Sequence, residues 1–113
     1  MSLSTEVRQV NGVSIVDMAG RIVLGEETGK VRSTIRGLLE GGATKVIINL
    51  GGVSYIDSSG LGELVSAYST AQRSGCVVKL LNVQAKVQDL LQITKLYTVF
   101  ESHTDEAEAV ASF

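Results

Sequence analysis

Lys45-Val46-Ile47-Ile48-Asn49-Leu50 is a short, nearly continuous apolar run. It leads into Gly51-Gly52-Val53-Ser54-Tyr55-Ile56-Asp57-Ser58-Ser59-Gly60, and Leu61, Leu64, Val65, Tyr68 and Ala71 then follow at helical spacing. Such a run reads as a strand buried on both faces, as in a parallel sheet covered by helices. The 51–60 segment has the composition of a loop, and 60–73 reads as a helix. Working outward, the alternation continues on both sides. Upstream, Val31, Ile35, Leu38 and Leu39 mark one face of a helix whose wet side carries Lys30, Arg32, Arg36 and Glu40. Gly41-Gly42 stops that helix by supplying a left-handed conformation. Downstream, Ser74-Gly75 closes the second helix, 77–81 is a second buried strand, and Val87, Leu90 and Leu91 mark a third, shorter helix.

At the start of the chain, Asn11-Gly12 separates Val7-Arg8-Gln9-Val10 from Val13-Ser14-Ile15-Val16-Asp17-Met18. Asn-Gly tolerates the positive φ of a tight turn, so an antiparallel hairpin is expected there. Gly20 ends it, and 21–24 either extend the sheet or leave it. A last strand is expected at 98–100. Ser102 and Thr104 are both candidate caps for a terminal helix whose first turn carries Asp105, Glu106 and Glu108, where the helix dipole favours negative charge. The fold class is therefore α/β: an N-terminal β-hairpin, then alternating helices and strands, giving a mixed, mostly parallel sheet with helices packed against it. Crossovers of one hand bring the loops leaving the carboxyl ends of the strands to one edge, and Asp57 lies there.

With 113 residues the chain is expected to form one domain over 1–113, of which 1–4 are expected to be disordered or vector-derived. A hydrophobic fraction of 44% beside 19% charged residues is ordinary for a folded soluble protein. Twelve acids against ten bases give a net charge of -2, without the basic excess that phosphate backbones demand, so nucleic acid is not expected as a partner. No apolar run approaches the ~20 residues that span a bilayer, which predicts no membrane insertion and a cytoplasmic location. Cys76 and His103 each stand alone. The first reads as a buried inert thiol, and the second leaves Ser/His or Cys/His catalysis to one residue in a polar stretch. No metal set or cofactor motif is expected, and a monomer is the default.

Asp57-Ser58-Ser59-Gly60-Leu61-Gly62 is the densest special segment: an acid and two hydroxyls just before a helix, with glycines that let another chain approach. One oxygen suffices to cap a helix, so three successive candidates leave at least one hydroxyl free, and a free serine at a helix start is a good phosphoacceptor. The same terminus tolerates a phosphate, because unpaired amides and the dipole both favour an anion. The mark would then act at the surface. Two like unit charges at 4 Å cost ~4 kcal/mol at an effective dielectric near 20, enough to switch off binding through Ser58 and Leu61.

These residues, with the preceding Val46-Ile47-Ile48-Asn49-Leu50, resemble the STAS-domain anti-sigma factor antagonists over essentially the whole chain. The resemblance implies a protein that is not an enzyme. Unphosphorylated, it binds an anti-sigma factor that is also a serine kinase and so frees the sigma factor; phosphorylation of the serine directly after the aspartate, Ser58 here, releases it. A metal-dependent serine phosphatase reverses the mark. Asp57, Ser59, Gly60 and Leu61 become the matching docking surface around Ser58. The family often has an acid shortly after the segment that follows the hairpin, whereas Val23 follows Gly20-Arg21-Ile22 here; Glu26 or Glu27 is the candidate to restore a carboxylate near Ser58, beside their ordinary reading as acids at a helix start.

Rival readings fare worse. A receiver domain phosphorylated on Asp57 needs further acids near the first strand to hold Mg²⁺, and that strand ends in Asn11-Gly12. A phosphate loop in Gly25-Glu26-Glu27-Thr28-Gly29-Lys30-Val31 is one residue short and lacks the hydroxyl after its lysine. A nucleophile elbow at Ser58 needs glycine where Ile56 stands. The alternative that survives is a non-switching STAS adaptor, such as a subunit of a lipid-transport ATPase or of a signalling scaffold.

Overall fold

Asn11 and Gly12 take φ values of 49° and 81°, the left-handed pair that a two-residue hairpin requires. They join β1 (Leu3–Val10) to β2 (Val13–Ile22), which pair antiparallel from Val10 opposite Val13 to Leu3 opposite Gly20. The computed structural model describes residues 3–113. Leu3 and Ser4 belong to β1, and Leu3 is only 2% exposed, which corrects the expectation of disorder for these two; the rest of the 1–4 expectation lies outside the described residues. Arg21 and Ile22 extend β2 past the hairpin.

The chain continues through α1 (Glu26–Glu40), β3 (Lys45–Ile56), α2 (Ser58–Arg73), β4 (Val77–Leu81), α3 (Ala85–Ile93), a 3-10 turn (Leu96–Thr98), β5 (Ser102–His103) and α4 (Glu106–Ala111). The sheet order is β1-β2-β3-β4-β5, parallel from β2 onward, so the expected mixed, mostly parallel sheet is observed. Each crossover steps to the next position in one direction. With a fixed hand, all three helical connections must then fall on one face.

Strand alternation divides the apolar residues accordingly. Val16, Met18, Val46, Ile48, Val78 and Leu80 point to the face that buries Val31 and Ile35 of α1, Leu61 and Leu64 of α2, and Val87 and Leu91 of α3. Val13, Ile15, Ile47 and Leu81 point the other way, onto Ala109 of α4. No crossover follows β5, so α4 is free to cover this second face. It is tied there by Arg8, which bonds Asp17 through Nε at 2.6 Å and Glu106 through Nη1 at 2.9 Å. Lys79, 6% exposed, donates to the Ser112 carbonyl and hydroxyl at 2.9 and 2.7 Å and pairs with Glu101 at 2.8 Å.

Three expectations are corrected. The glycine-rich 51–56 stretch is strand, not loop: β3 carries one extra residue between Asn49 and Gly52 and another between Val53 and Tyr55, measured against β2. These bulges bend the strand without ending it. Gly52 is required because a Cβ there would lie 2.8 Å from the Ala19 Cβ and 2.9 Å from the Met18 carbonyl oxygen. At the C-terminal end, 98–100 is not strand; the 3-10 turn occupies its start, and the last strand is Ser102–His103. The cap of α4 is neither Ser102 nor Thr104 but Asp105, which accepts the Glu108 amide at 3.0 Å.

Arg8 holds the carboxyls of Asp17 and Glu106 below the usual carboxylate range, so this tie is present above the unfolded carboxyl values and is lost as the pH falls through the lowered folded ones. Arg8→Ala is expected to cost about 1 kcal/mol at pH 7, given the half-exposed pairs, and to raise amide exchange in α4 while leaving α2 unchanged. Hydrogen exchange followed by mass spectrometry reads both.

Candidate functional site

β2 and β3 run parallel, so their carboxyl ends arrive at the same edge, where one acid joins them. Asp57 follows Ile56 directly; its backbone is extended and its amide still donates to the Ile22 carbonyl at 3.2 Å. Its Oδ1 accepts the Gly60 amide at 2.7 Å, which caps α2, and its Oδ2 accepts the Leu24 amide at 3.1 Å, which anchors the turn into α1. Two backbone donors favour the ionised form. The Asp57 carboxyl is accordingly held below its usual range, chiefly by the Gly60 amide; desolvation opposes this, and the Leu24 amide adds to the lowering.

Because Asp57 caps the helix, the serines after it do not. Neither the Ser58 nor the Ser59 hydroxyl hydrogen-bonds to another described residue; Ser58 is exposed and Ser59 half-buried. The structure thus brings Asp57, Ser58 and Ser59 to one exposed corner. Gly60 and Leu61 are turned inward instead. Gly60 is buried against β2, where a Cβ would overlap the Ile22 carbonyl oxygen and come within 2.9 Å of the Ile22 and Ile56 side chains. Leu61 is 3% exposed and belongs to the core. The expected surface role of these two is corrected: the approach that glycine permits is made by the protein's own β2 strand.

Glu26 and Glu27 lie in the first turn of α1, the former exposed and the latter half-buried. Their turn reaches the corner through the Leu24–Asp57 bond, and no hydrogen bond links either carboxylate to Ser58. Val23, half-buried, precedes that contact. Outside the corner, Cys76 is buried, and burial pushes its thiol pKa up, away from reactivity. His103 bonds Glu101 at 2.6 Å.

Sequence reasoning missed what stands opposite Ser58. An open groove has Tyr55, Asp57 and Ser58 on one side and Lys86, Asp89 and Ile93 of α3 on the other. Ile93 is 79% exposed and Tyr55 42%, so two exposed apolar side chains line the groove with the free hydroxyl, and Leu24, 74% exposed, lies in the turn that Asp57 anchors. The Arg21 guanidinium lies 5.1 Å over the Tyr55 ring. Ile93 carried a readable signal, being apolar yet off the stripe set by Val87, Leu90 and Leu91. Among the described residues no group of three or more His, Cys, Asp or Glu is placed to hold a metal, and no helix is long and apolar enough to cross a membrane.

A hairpin-led five-stranded α/β sheet with an Asp-Ser-Ser corner at the head of its second helix defines a small single-sheet α/β domain. The STAS domain family model matches residues 4–109, and the chain belongs to that family. Its fold is similar to that of a candidate anti-sigma factor antagonist from Thermotoga maritima (23% identity, 96% of this chain and 92% of that one, TM-score 0.87). It is also similar to the Bacillus cell fate determinant SpoIIAA in its phosphorylated form (22%, 96% and 98%, 0.73) and to a sulfate transporter family protein from Wolinella succinogenes (17%, 91% and 85%, 0.72).

Substitutions at two positions check this arrangement. Gly60→Ala, forced against the Ile22 carbonyl, is expected to destabilise the fold by about 3 kcal/mol. Asp57→Ala is expected to cost about 1 kcal/mol, and Asp57→Asn less, since amide oxygens also cap. The Asp-over-Asn advantage is present above the unfolded carboxyl value and disappears as the pH falls through the lower folded one. Urea unfolding at pH 7 and at pH 3 measures all three.

Proposed function

We propose that this protein is an anti-sigma factor antagonist controlled by phosphorylation at Ser58. Unphosphorylated, it docks on an anti-sigma factor with serine kinase activity through the corner formed by Asp57, Ser58 and Ser59 and the apolar rim around it, and so frees the sigma factor. The kinase phosphorylates Ser58, the complex separates, and a serine phosphatase restores the binding form. In this reading the chain is a non-catalytic, single-domain cytoplasmic protein that works as a monomer.

The observation that carries the reading is the division of labour between Asp57 and Ser58. The aspartate takes the capping bond, so the serine hydroxyl at the start of α2 is exposed and uncommitted. A phosphate there adds about -1.5 to -2 charges beside an ionised Asp57 without removing any hydrogen bond of the fold. Its effect would fall on a docked partner, by like-charge repulsion and by the cost of burying the dianion. Gly60 and Leu61 contribute by fixing the corner from beneath. Glu26 and Glu27 add negative potential at the start of α1.

A second reading is a non-switching adaptor, and the likeness in fold to a sulfate transporter family protein favours it. Ser58→Ala and Ser58→Asp used as parallel baits in lysate of the source cell separate the two. The switch predicts recovery of an ATP-binding serine kinase by the alanine form and at least tenfold less by the aspartate form. Equal recovery of a transport ATPase or scaffold by both would overturn it.

A further inference from the structure

The groove beside Ser58 has one uncommitted cation on its far wall. Lys86 stands in the first turn of α3, exposed, and lines the groove with Asp57 and Ser58. Several other cations of the fold are spent: Arg8 on Asp17 and Glu106, Arg32 on Glu63, Lys79 on Glu101, and Lys30 on the Leu3 carbonyl. Lys86 forms no salt bridge with any described residue, not even with Asp89 one turn along its own helix.

We propose that Lys86 is the intramolecular counter-ion of the phosphate carried by Ser58. This rests on the reading of Ser58 as the phosphorylated residue. The charged groups that line the groove with Ser58 are Asp57 at its own helix start and Asp89 and Lys86 on α3; Arg21 lies over Tyr55 at its margin, and Glu26 and Glu27 start α1, whose preceding turn bonds Asp57 through Leu24. The acids oppose loss of the second phosphate proton, whose ordinary pKa is about 6. A cation across the groove favours the dianion, and a lysine, as a compact charge on a flexible stem with three donors, follows a phosphate without needing fixed geometry. Arg21 lies over the Tyr55 ring and is not among the residues that line the groove, which leaves Lys86 as the cation facing Ser58 across it.

The consequence is a switch with two parts. Before modification the Lys86 ammonium is available to a carboxylate of the docked partner. Afterwards it is occupied by the protein's own phosphate, so one event adds negative charge and withdraws a positive contact.

The test installs phosphoserine at position 58 by genetic encoding and follows its ³¹P chemical shift against pH. Relative to the unmutated phosphoprotein, Lys86→Gln is expected to raise the apparent second pKa by about half a unit, an effect that shrinks in 1 M salt because such pairs are screened. Lys86→Arg restores the lower value, Asp89→Asn lowers it further, and Lys45→Gln, at the opposite end of β3, leaves it unchanged. An unaltered pKa in Lys86→Gln, or an equal shift in Lys45→Gln, overturns the proposal. The phosphate is installed without a kinase, so this outcome is independent of the bait experiment. A partner retained by Ser58→Asp would sink the switch while the titration still decides the counter-ion.

Discussion

The Asp57 carboxylate holds two chain segments that nothing else joins so directly. One oxygen binds the amide of Gly60 at the head of α2, and the other binds the amide of Leu24 in the turn before α1. Without that side chain the Leu24 amide would turn to water and the Gly60 amide would lose its cap, a loss of about 1 kcal/mol. Satisfying both with one side chain frees the next residue from structural duty. It also makes the corner stiff, since Gly60 is pressed against the Ile22 carbonyl from below. The exposed serine therefore sits on a fixed platform, and a change in its charge alters what the surface presents more than how the chain folds.

The platform rests on topology. A strictly sequential strand order with crossovers of one hand stacks α1, α2 and α3 on one face and leaves the other to the six-residue α4. The thin side is held by polar ties: Arg8 between Asp17 and Glu106, and Lys79 between Ser112 and Glu101. The thick side is held by apolar burial. The Asp57 corner belongs to the thick side, so its stability follows from packing of Ile22, Ile56 and Leu61 and is little affected by salt.

Much of this was legible in the sequence, for physical reasons that differ by element. The Asn11-Gly12 turn, the run from Lys45, and the helical stripes of Val31 and Ile35 or of Leu61 and Leu64 follow from local backbone preference and periodicity, and they are where they were expected. The 51–56 stretch reads as a loop because Gly52 looks like a turn residue, whereas it serves close strand packing; only the Ala19 side chain on the neighbouring strand reveals that, and it lies more than 30 residues away. For Leu61 the two readings diverge: the family resemblance puts it on the docking surface, whereas its helical spacing with Leu64 puts it on the inward stripe, and it is buried. Lys86 and Ile93 could not be connected to Ser58 from one sequence, since only the β3–α2–β4 crossover and the helix after it bring them together.

The bulged half of β3 has a further consequence. Its pairing with β4 ends at Asn49 opposite Leu81, whereas its pairing with β2 continues to Ile56. Seven residues in the middle of the sheet thus behave as an edge strand, the kind of surface through which chains add to one another and aggregate. Here the bulges spoil its register for any straight newcomer. Gln84, just ahead of α3, covers part of it by donating to the Gly51 carbonyl. The exposed corner and its groove thereby adjoin a strand whose bulges oppose self-templating.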